Sequence, residues 1–321
     1  MWDPLLRTIA FPFLAGLACL LVPERWHSFR AWLSILVSII AIAFAWQIAA
    51  DKTSMGASGW LEADALSQFI LLFAAFFTLM VSVYSLQFLD SKPGGRTYFT
   101  CLLWSLCIAN LVLLASDLLL MVAAWGLLAV TLYLMIGVAG PNASGAALKA
   151  LIIIGGTDSL LVLGVAILIS QYGIWDWNSP AIEVTTTGDY LAFACFASAA
   201  LAKAGAVPLH TWVPDTAEKA LVPVTAFLPA SMDKLLGIFL LVRIVRDLFH
   251  VNDAINTVLI FLGAVTILGA VLMAMVQHDL KRLLGFHAVS QVGYMVIGIG
   301  TGSPLGLAAA LFHMLNHAIY K

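Results

Sequence analysis

The chain has 321 residues, of which 62% are hydrophobic and only 10% are charged, and its formal net charge is −2. Soluble globular domains carry roughly 45–50% apolar and about 25% charged residues. The composition therefore excludes an ordinary soluble enzyme, a disordered chain and a nucleic-acid-binding protein, and it predicts a protein whose solvent is the lipid bilayer.

Long apolar segments of helical length follow one another along the chain. A bilayer core of about 30 Å is crossed by roughly 20 apolar residues in a helix. The segments are continuous and lack the alternation of a membrane barrel, so strands are not expected. We predict an all-α polytopic membrane protein with about eleven transmembrane helices, at residues 5–22, 32–50, 66–89, 98–115, 118–140, 146–169, 190–212, 223–248, 254–276, 283–300 and 305–320.

The cations of the predicted loops indicate an orientation. Cytoplasmic loops are enriched in Lys and Arg. The odd-numbered loops are richer in these cations, which predicts that they are cytoplasmic. The chain is then expected in the cell (inner) membrane with its N-terminus outside the cytoplasm. The odd loops hold Arg25, Arg30, Lys92, Arg96, Lys149, Lys219, Lys281 and Arg282, whereas the even loops hold Lys52, Arg243 and Arg246.

Asp158 is the first ionisable residue that lies well inside a predicted span. It follows a Gly155-Gly156 pair in the sixth span. A carboxyl group in lipid must be paired or neutralised. Two interpretations stay open, namely a functional acid and a helix-packing network of Ser, Thr and Gly side chains.

Lys203 lies deep in the seventh span. Charged residues at the centre of a membrane helix cost about 2.5–3.5 kcal/mol on insertion scales, and they are functional candidates by default. The alternative, a lysine that snorkels to the interface, is disfavoured by its depth. Pro208 and Pro214 flank His210 shortly afterwards and predict a broken helix, which membrane proteins tolerate where it lines a cavity or a site.

The eighth and eleventh spans contain further ionisable groups. Lys234 follows Asp233, and Pro229 loosens the backbone just before them; the two charges could also be neutralised by separate partners. The last span presents three basic groups at intervals of four residues, so they share one helix face: His313, His317 and Lys321. A proton-conducting or packing face is favoured over a zinc site, because no third ligand is identifiable.

The sequence also predicts what the chain lacks. It contains no glycine-rich phosphate loop, no cysteine cluster suited to iron–sulfur and no histidine pair spaced for haem. We expect no cofactor, no metal and no catalytic residue in this chain. The last span stops at Lys321 without a polar tail, and from this we expect a truncated or divided chain.

Four motifs give the sequence a recognisable pattern from about residue 84 to the end. They are KAGAVPLHTWVPD at 203–215, DLKRLL at 279–284, SQVGYM at 290–295 and HMLNHAIYK at 313–321. With them the chain resembles the antiporter-like, proton-pumping membrane subunits of respiratory complex I. The same resemblance extends to membrane-bound hydrogenases, multisubunit cation/proton antiporters and inorganic-carbon uptake complexes.

The resemblance implies two inverted five-helix repeats, each with a broken helix. It divides the chain into N-terminal helices (1–97), a first repeat (98–250) and an incomplete second repeat (251–321). It assigns proton translocation to Lys203, Lys234, Asp158, His313, His317 and Lys321, and helix-break or gating positions to Pro208, His210, Pro214 and Pro229.

One position departs from the family pattern. Family members usually have Trp-Glu-Leu in the fifth helix, and that glutamate pairs with the central lysine. Here the corresponding residues are Trp125, Gly126 and Leu127. Either Asp158 or an acid from another subunit replaces the carboxylate, or the chain does not pump.

Three functions therefore stand as expectations. The first is a non-redox, ion-translocating subunit of a quinone oxidoreductase or membrane-bound hydrogenase, with other membrane subunits and peripheral redox subunits as partners. The second is a subunit of a cation/proton antiporter or an inorganic-carbon uptake complex. The third is a structural subunit that does not pump.

Overall fold

The computed structural model describes residues 3–50, 59–89 and 94–321. Lys52 and Lys92, two of the loop cations used for the orientation, lie outside the described residues. Over these ranges the fold is almost entirely helical, as predicted. The α-helices are α1 Pro4–Leu21, α2 His27–Ala50, α3 Ala65–Phe88, α4 Gly95–Leu114, α5 Leu118–Gly137, α6 Ser144–Tyr172, α7 Thr187–Ala204, α8 Trp212–Lys219, α9 Val222–Phe227, α10 Asp233–Arg243, α11 Asp253–Met275, α12 Leu280–Gly300 and α13 Pro304–Tyr320.

Short irregular elements connect or extend these helices. A 3₁₀ turn, Pro141–Ala143, leads into α6. The π-helical segments Leu228–Met232 and Ile244–Leu248 precede and follow α10. Two short strands, β1 Ile182–Glu183 and β2 Phe249–His250, pair in parallel.

Polar side chains fix where many of the helices begin. A side-chain oxygen before the first turn accepts a backbone N–H that has no partner inside the helix. Thr186 and Asp189 form a reciprocal capping box at the start of α7. Single caps begin other helices: Asp64 for α3, Asp117 for α5, Asn252 for α11, Asp279 for α12 and Ser303 for α13.

Eight helical segments of the described chain are long and apolar enough to cross a bilayer. They are α1 to α6, α11 and α12, which agrees with eight of the eleven predicted spans. The predicted count of eleven is not confirmed, because each of the other three segments is too polar, too short or interrupted. α7 contains Asp189 and Lys203, the 223–248 segment has π-helical turns, and α13 has only 17 residues.

The chain forms two compact units. The first consists of residues 1–148 with 220–227, and the second of residues 149–219 with 228–321. In the first unit α1 and α5 pack on α4, and α2 packs on α3. In the second unit α7 packs on α10, and α12 contacts α8, α11 and α13. The ionisable residues singled out from the sequence all lie in the second unit, whereas Gly126 lies in the first.

Two glycines let α11 and α12 cross in close contact. A Cβ atom on Gly293 would lie 2.5 Å from the Gly263 carbonyl oxygen, and a Cβ on Gly263 would lie 2.7 Å from that of Gly293. Both obstacles are backbone atoms, which cannot rotate away. The helix axes therefore approach as closely as small residues allow, as is common between membrane helices.

The close crossing predicts a difference between two glycine substitutions. Gly293→Ala should lower the free energy of unfolding by about 1–3 kcal/mol, because the new methyl group forces α11 and α12 apart. Gly269→Ala on α11 is the control, since its Cβ meets no described atom within 4 Å; it should be neutral or stabilising by up to about 1 kcal/mol. Thermal unfolding in lipid nanodiscs measures both, and equal effects would contradict the packing.

Candidate functional site

The predicted break separates α7 from α8. α7 ends at Ala204, and Gly205 follows in a left-handed conformation with φ of 85°. The N–H groups of Gly205 and Ala206 donate to the Leu201 carbonyl oxygen at 2.9 and 2.8 Å, so that carbonyl at the helix end is satisfied. Residues 205–211 are then non-helical until α8 begins at Trp212.

The prolines predicted to break helices occupy different places. Pro208 lies within the non-helical residues, as expected. Pro214 lies in the first turn of α8, where a proline is tolerated because its missing N–H would have no partner there. Pro229 lies in the π-helical segment before α10. His210 is buried in the break and contacts the Phe286 ring, with 6.2 Å between the ring centroids.

Two side chains bind carbonyl groups at the end of α7. Trp212 Nε1 donates to the Ala202 oxygen at 2.9 Å, and Lys234 Nζ donates to the Ala204 oxygen at 3.3 Å. The last carbonyls of a helix carry a partial negative charge, which attracts a cation. The broken end of α7 is thus a place where a buried ammonium group is stabilised.

Lys203, Lys234 and Asp158 are all buried in the second unit. Their side chains lie on α7, α10 and α6, and the exposed fractions of the residues are 1%, 0% and 9%. The burial of Lys203 disagrees with the alternative of a lysine that snorkels to an interface. The chain holds these charges in its own interior, where water screens them least.

A second buried acid joins these residues. Asp233 is 2% exposed, and the charges of Lys203, Lys234 and Asp158 act on its carboxylate. Together the four side chains form a cluster of two acids and two bases, which we name the four-charge cluster. Its formal charge is zero when all four groups are ionised.

Asp233 was not among the sites predicted from the sequence. Successive helical residues diverge by about 100°, and in the fold Asp233 and Lys234 accordingly have different neighbours. The two charges act on each other, but Asp233 also interacts with Lys203 and Asp158, whereas Lys234 reaches the end of α7 and also interacts with Lys321. The signal was present: an acid in an apolar segment, directly before a lysine.

Basic groups continue from Lys234 towards α13. His317 is fully buried, its Nδ1 atom lies 3.0 Å from the Tyr320 hydroxyl, and its Nε2 atom has no hydrogen-bond partner among the described residues. The charges that act on it belong to Lys234, Lys321, His313 and His287. His287 on α12 was missed by the sequence analysis, because no other ionisable residue lies three or four positions away from it on the helix.

The other two predicted residues of α13 bind α12. His313 Nε2 lies 3.0 Å from the Gln291 side-chain oxygen, and Lys321 Nζ donates to the Leu284 carbonyl oxygen at 3.1 Å. The structure therefore brings the predicted groups into one series, from Asp158 through the four-charge cluster to His317 and Lys321. Among the described residues, no group of three His, Cys, Asp or Glu side chains is placed to hold a metal ion.

Gly126, the position to which the resemblance assigns a glutamate in other family members, lies on α5 next to the buried Trp125. A Cβ atom built on Gly126 would meet no described atom within 4 Å. A larger side chain therefore has room at its first carbon, and the loss of the carboxylate is not explained by local crowding.

A network of ion pairs holds α8 at the other side of the break. Asp215 binds Lys149 at 2.6 Å and Arg282 at 3.4 Å, and Arg282 also binds Glu218 at 2.8 Å. Hydrogen bonds from Lys219 and Arg282 hold the pKa of Glu218 below its ordinary value. The short helix α8 is thereby joined to the starts of α6 and α12.

Helices long and apolar enough to span a membrane, a helix broken beside a buried lysine and a row of interior basic groups define a class of polytopic membrane proteins. The family model described as NADH:quinone oxidoreductase/Mrp antiporter, transmembrane, matches residues 115–321, which is more than half of the chain. The chain belongs to this family of antiporter-like membrane proteins.

Several curated proteins are similar in sequence. F(420)H(2) dehydrogenase subunit L of Methanosarcina mazei is 29% identical over 80% of this chain and 42% of its own length. NADH-quinone oxidoreductase subunit L of Mycobacterium tuberculosis is 29% identical over 81% and 42%. A probable inorganic carbon transporter subunit, DabB1 of Halothiobacillus neapolitanus, is 28% identical over 97% and 58%. The chain thus spans about half the length of these relatives.

Solved structures share the fold. A chain of the membrane-bound sulfane sulfur reductase, an archaeal respiratory membrane complex, matches with a TM-score of 0.88 and 21% identity over 99% of this chain and 69% of that chain. A chain of the Mrp complex from a Dietzia species gives 0.88 and 23% over 98% and 36%. A chain of respiratory complex I from Thermus thermophilus gives 0.81 and 22% over 98% and 69%.

The network around α8 predicts a pH-dependent contribution of Arg282. Arg282→Gln should lower the free energy of unfolding by about 0.5–1 kcal/mol at pH 7, as expected for a partly exposed ion pair. Because the pKa of Glu218 is lowered in the folded chain, its contribution is complete above the ordinary carboxyl value of about 4.3. It is lost as the pH falls through the lower, folded-state value.

The measurement is thermal unfolding of both proteins in nanodiscs at pH 7 and pH 3. The difference between wild type and Arg282→Gln should shrink at pH 3. Arg25→Gln, which removes an exposed cation, should have little effect at either pH. An Arg282→Gln effect that stays the same at pH 3 would show that the ion pairs are not its cause.

Proposed function

We propose that this chain is an antiporter-like, proton-translocating subunit of a complex I-related, redox-driven membrane assembly. The observation that carries the proposal is the burial of Lys203 and Lys234 at the end of a broken helix, in a series of groups that continues through His317 to Lys321. A lysine charge is too costly in an apolar interior to be placed there without a partner or a task.

The proton steps use groups that each gain and lose one proton. The ammonium group of Lys203 releases a proton, and the amine of Lys234 takes it up. Lys234 then passes a proton to His317, whose Nε2 atom has no hydrogen-bond partner among the described residues. Lys321 and His313 continue the path, and intervening water molecules bridge separations too long for direct transfer.

An electrostatic change elsewhere in the assembly drives the first step. A unit charge about 5 Å away at an effective dielectric constant of about 20 is worth roughly 3 kcal/mol. Moving an acid away from Lys203, or bringing another cation near it, therefore lowers the proton affinity of its amine about a hundredfold. Asp158, in the same cluster, is one acid that contributes to this control.

The remaining features of the proposal follow the family resemblance. The chain is arranged as parts of two inverted repeats, with 98–250 as the first repeat, in an inner cell membrane with the N-terminus outside. Other membrane subunits are its neighbours, and peripheral redox subunits supply the driving force. Pro208, His210, Pro214 and Pro229 allow the backbone beside the buried lysines to change conformation.

A cation/proton antiporter or inorganic-carbon uptake subunit is the second candidate. Its support is the similarity to the probable inorganic carbon transporter subunit, which extends over 97% of the chain. The chloroplastic NAD(P)H-quinone oxidoreductase subunit 5 of Amborella trichopoda matches over 98%, so coverage does not separate the two candidates. The buried basic series serves both candidates, which differ in whether electron transfer is coupled to transport. Proton uptake that continues when electron transfer is inhibited would favour the second candidate.

Replacement of the buried lysines tests the proposed function. Lys203→Ala and Lys234→Ala should each lower proton transport by the complete assembly roughly 10²-fold or more, the scale of losing a positioned proton-transfer group. Fluorescent pH indicators in vesicles that contain the assembly measure the rate. Arg25→Ala, which removes an exposed cation, should transport normally. Wild-type transport by a fully assembled Lys203→Ala protein would end the proposal.

A further inference from the structure

The pathway described so far leaves the carboxylate of Asp233 without a role. Asp233 is the first residue of α10 and is 2% exposed, and its Oδ2 atom accepts no hydrogen bond from the described residues. A buried carboxylate is costly unless a cation compensates for it. The side chain is therefore expected to face a positive charge.

The packing of α10 on α7 identifies that charge. A Cβ atom on Gly237 would lie 2.5 Å from Ala204 N and 2.7 Å from Ala200 O, so Gly237 lies directly against the last turn of α7. Asp233, four residues earlier, is on the same face of α10. Lys203 lies in the same last turn of α7, and its charge acts on the Asp233 carboxylate, so the carboxylate and the ammonium group lie at one crossing.

A hydrogen bond of Lys234 also places the start of α10 at the end of α7. Its Nζ atom donates to the Ala204 oxygen at 3.3 Å, which places the first turn of α10 at the broken end of α7. The charges of both Lys203 and Lys234 act on the Asp233 carboxylate. One acid is thus shared by two lysines, one on each of the two crossing helices.

We infer that Asp233 is the carboxylate partner of Lys203 in this chain and takes the part that the resemblance assigns to the glutamate missing at Gly126. The inference rests on the proposed function. Asp233 stays ionised and stabilises whichever lysine carries the proton, so that one proton leaves Nζ of Lys203 and binds Nζ of Lys234 while the acid remains the counterion. Asp233 acts through the lysines and is a positioning residue.

Transport by three acid variants tests this role. Asp233→Asn should lower proton transport by the complete assembly at least about tenfold, and Asp233→Glu should restore most of the rate because it keeps the charge. Asp158→Asn should lose less than Asp233→Asn. Wild-type transport by Asp233→Asn, or a larger loss in Asp158→Asn, would overturn the inference.

A double-mutant cycle supplies a readout that a purely structural role would not change. Lys203→Met and Asp233→Asn should each lower the melting temperature of the assembly, and the double variant should lower it by less than the sum, because neither charge is left alone. The control cycle pairs Lys203→Met with Asp247→Asn, whose carboxylate binds Arg243 at 2.8 Å; its effects should be additive. An additive Lys203–Asp233 cycle would contradict the pairing.

The outcomes separate this inference from the proposed function. Loss of transport in Lys203→Ala with normal transport in Asp233→Asn leaves the function standing and removes the role of Asp233. Normal transport in Lys203→Ala would contradict both the proposed function and the role of Asp233. If Asp233→Asn alone prevents assembly, the double variant with Lys203→Met should restore it, and failure to restore assembly would also contradict the pairing.

Discussion

The structure depends on keeping ammonium groups inside an apolar interior. Lys203 and Lys234 are as buried as the leucines around them, and a charge in such a place is stabilised only by what the chain puts beside it. Two kinds of compensation are present: the partial negative charge of the carbonyls at the end of α7, and the carboxylates of Asp158 and Asp233. Compensation of this kind suits a proton carrier, because a charge that depends on a few neighbouring groups is lost when one of those groups moves away.

Backbone irregularity supplies the geometry. Because α7 ends at Ala204, the Ala204 carbonyl oxygen has no partner in a continuing helix and accepts the hydrogen bond of Lys234. The Ala202 oxygen accepts one from Trp212 in addition to the Gly205 N–H. Gly237 then lets α10 approach this end within backbone contact. The π-helical segment Leu228–Met232 ends directly before Asp233 and Lys234, the first two residues of α10. Irregular segments of this type are often found at functional sites.

The fold and part of the site could be predicted from the sequence. The length of the continuous apolar segments identified α1 to α6, α11 and α12, because a helix that crosses lipid needs an uninterrupted run of hydrophobic residues. It was less reliable for α7 and α10, because the buried charges in these segments lower their hydropathy. Lys203 and His317 were singled out because they interrupt apolar segments, and both are buried. Asp233 and His287 were missed, because partnership across helices depends on a crossing angle and a close approach that one sequence does not reveal.

Lys203 must exchange a proton if the chain works as proposed, and the variant Lys203→Arg tests this requirement. Arginine keeps the positive charge beside Asp233 but does not release its proton in proteins. In vesicles containing the complete assembly, at assembly levels matched to the wild type, the account predicts that Lys203→Arg supports no proton transport. Transport at the wild-type rate would show that only the charge at this position is needed, and it would contradict the account.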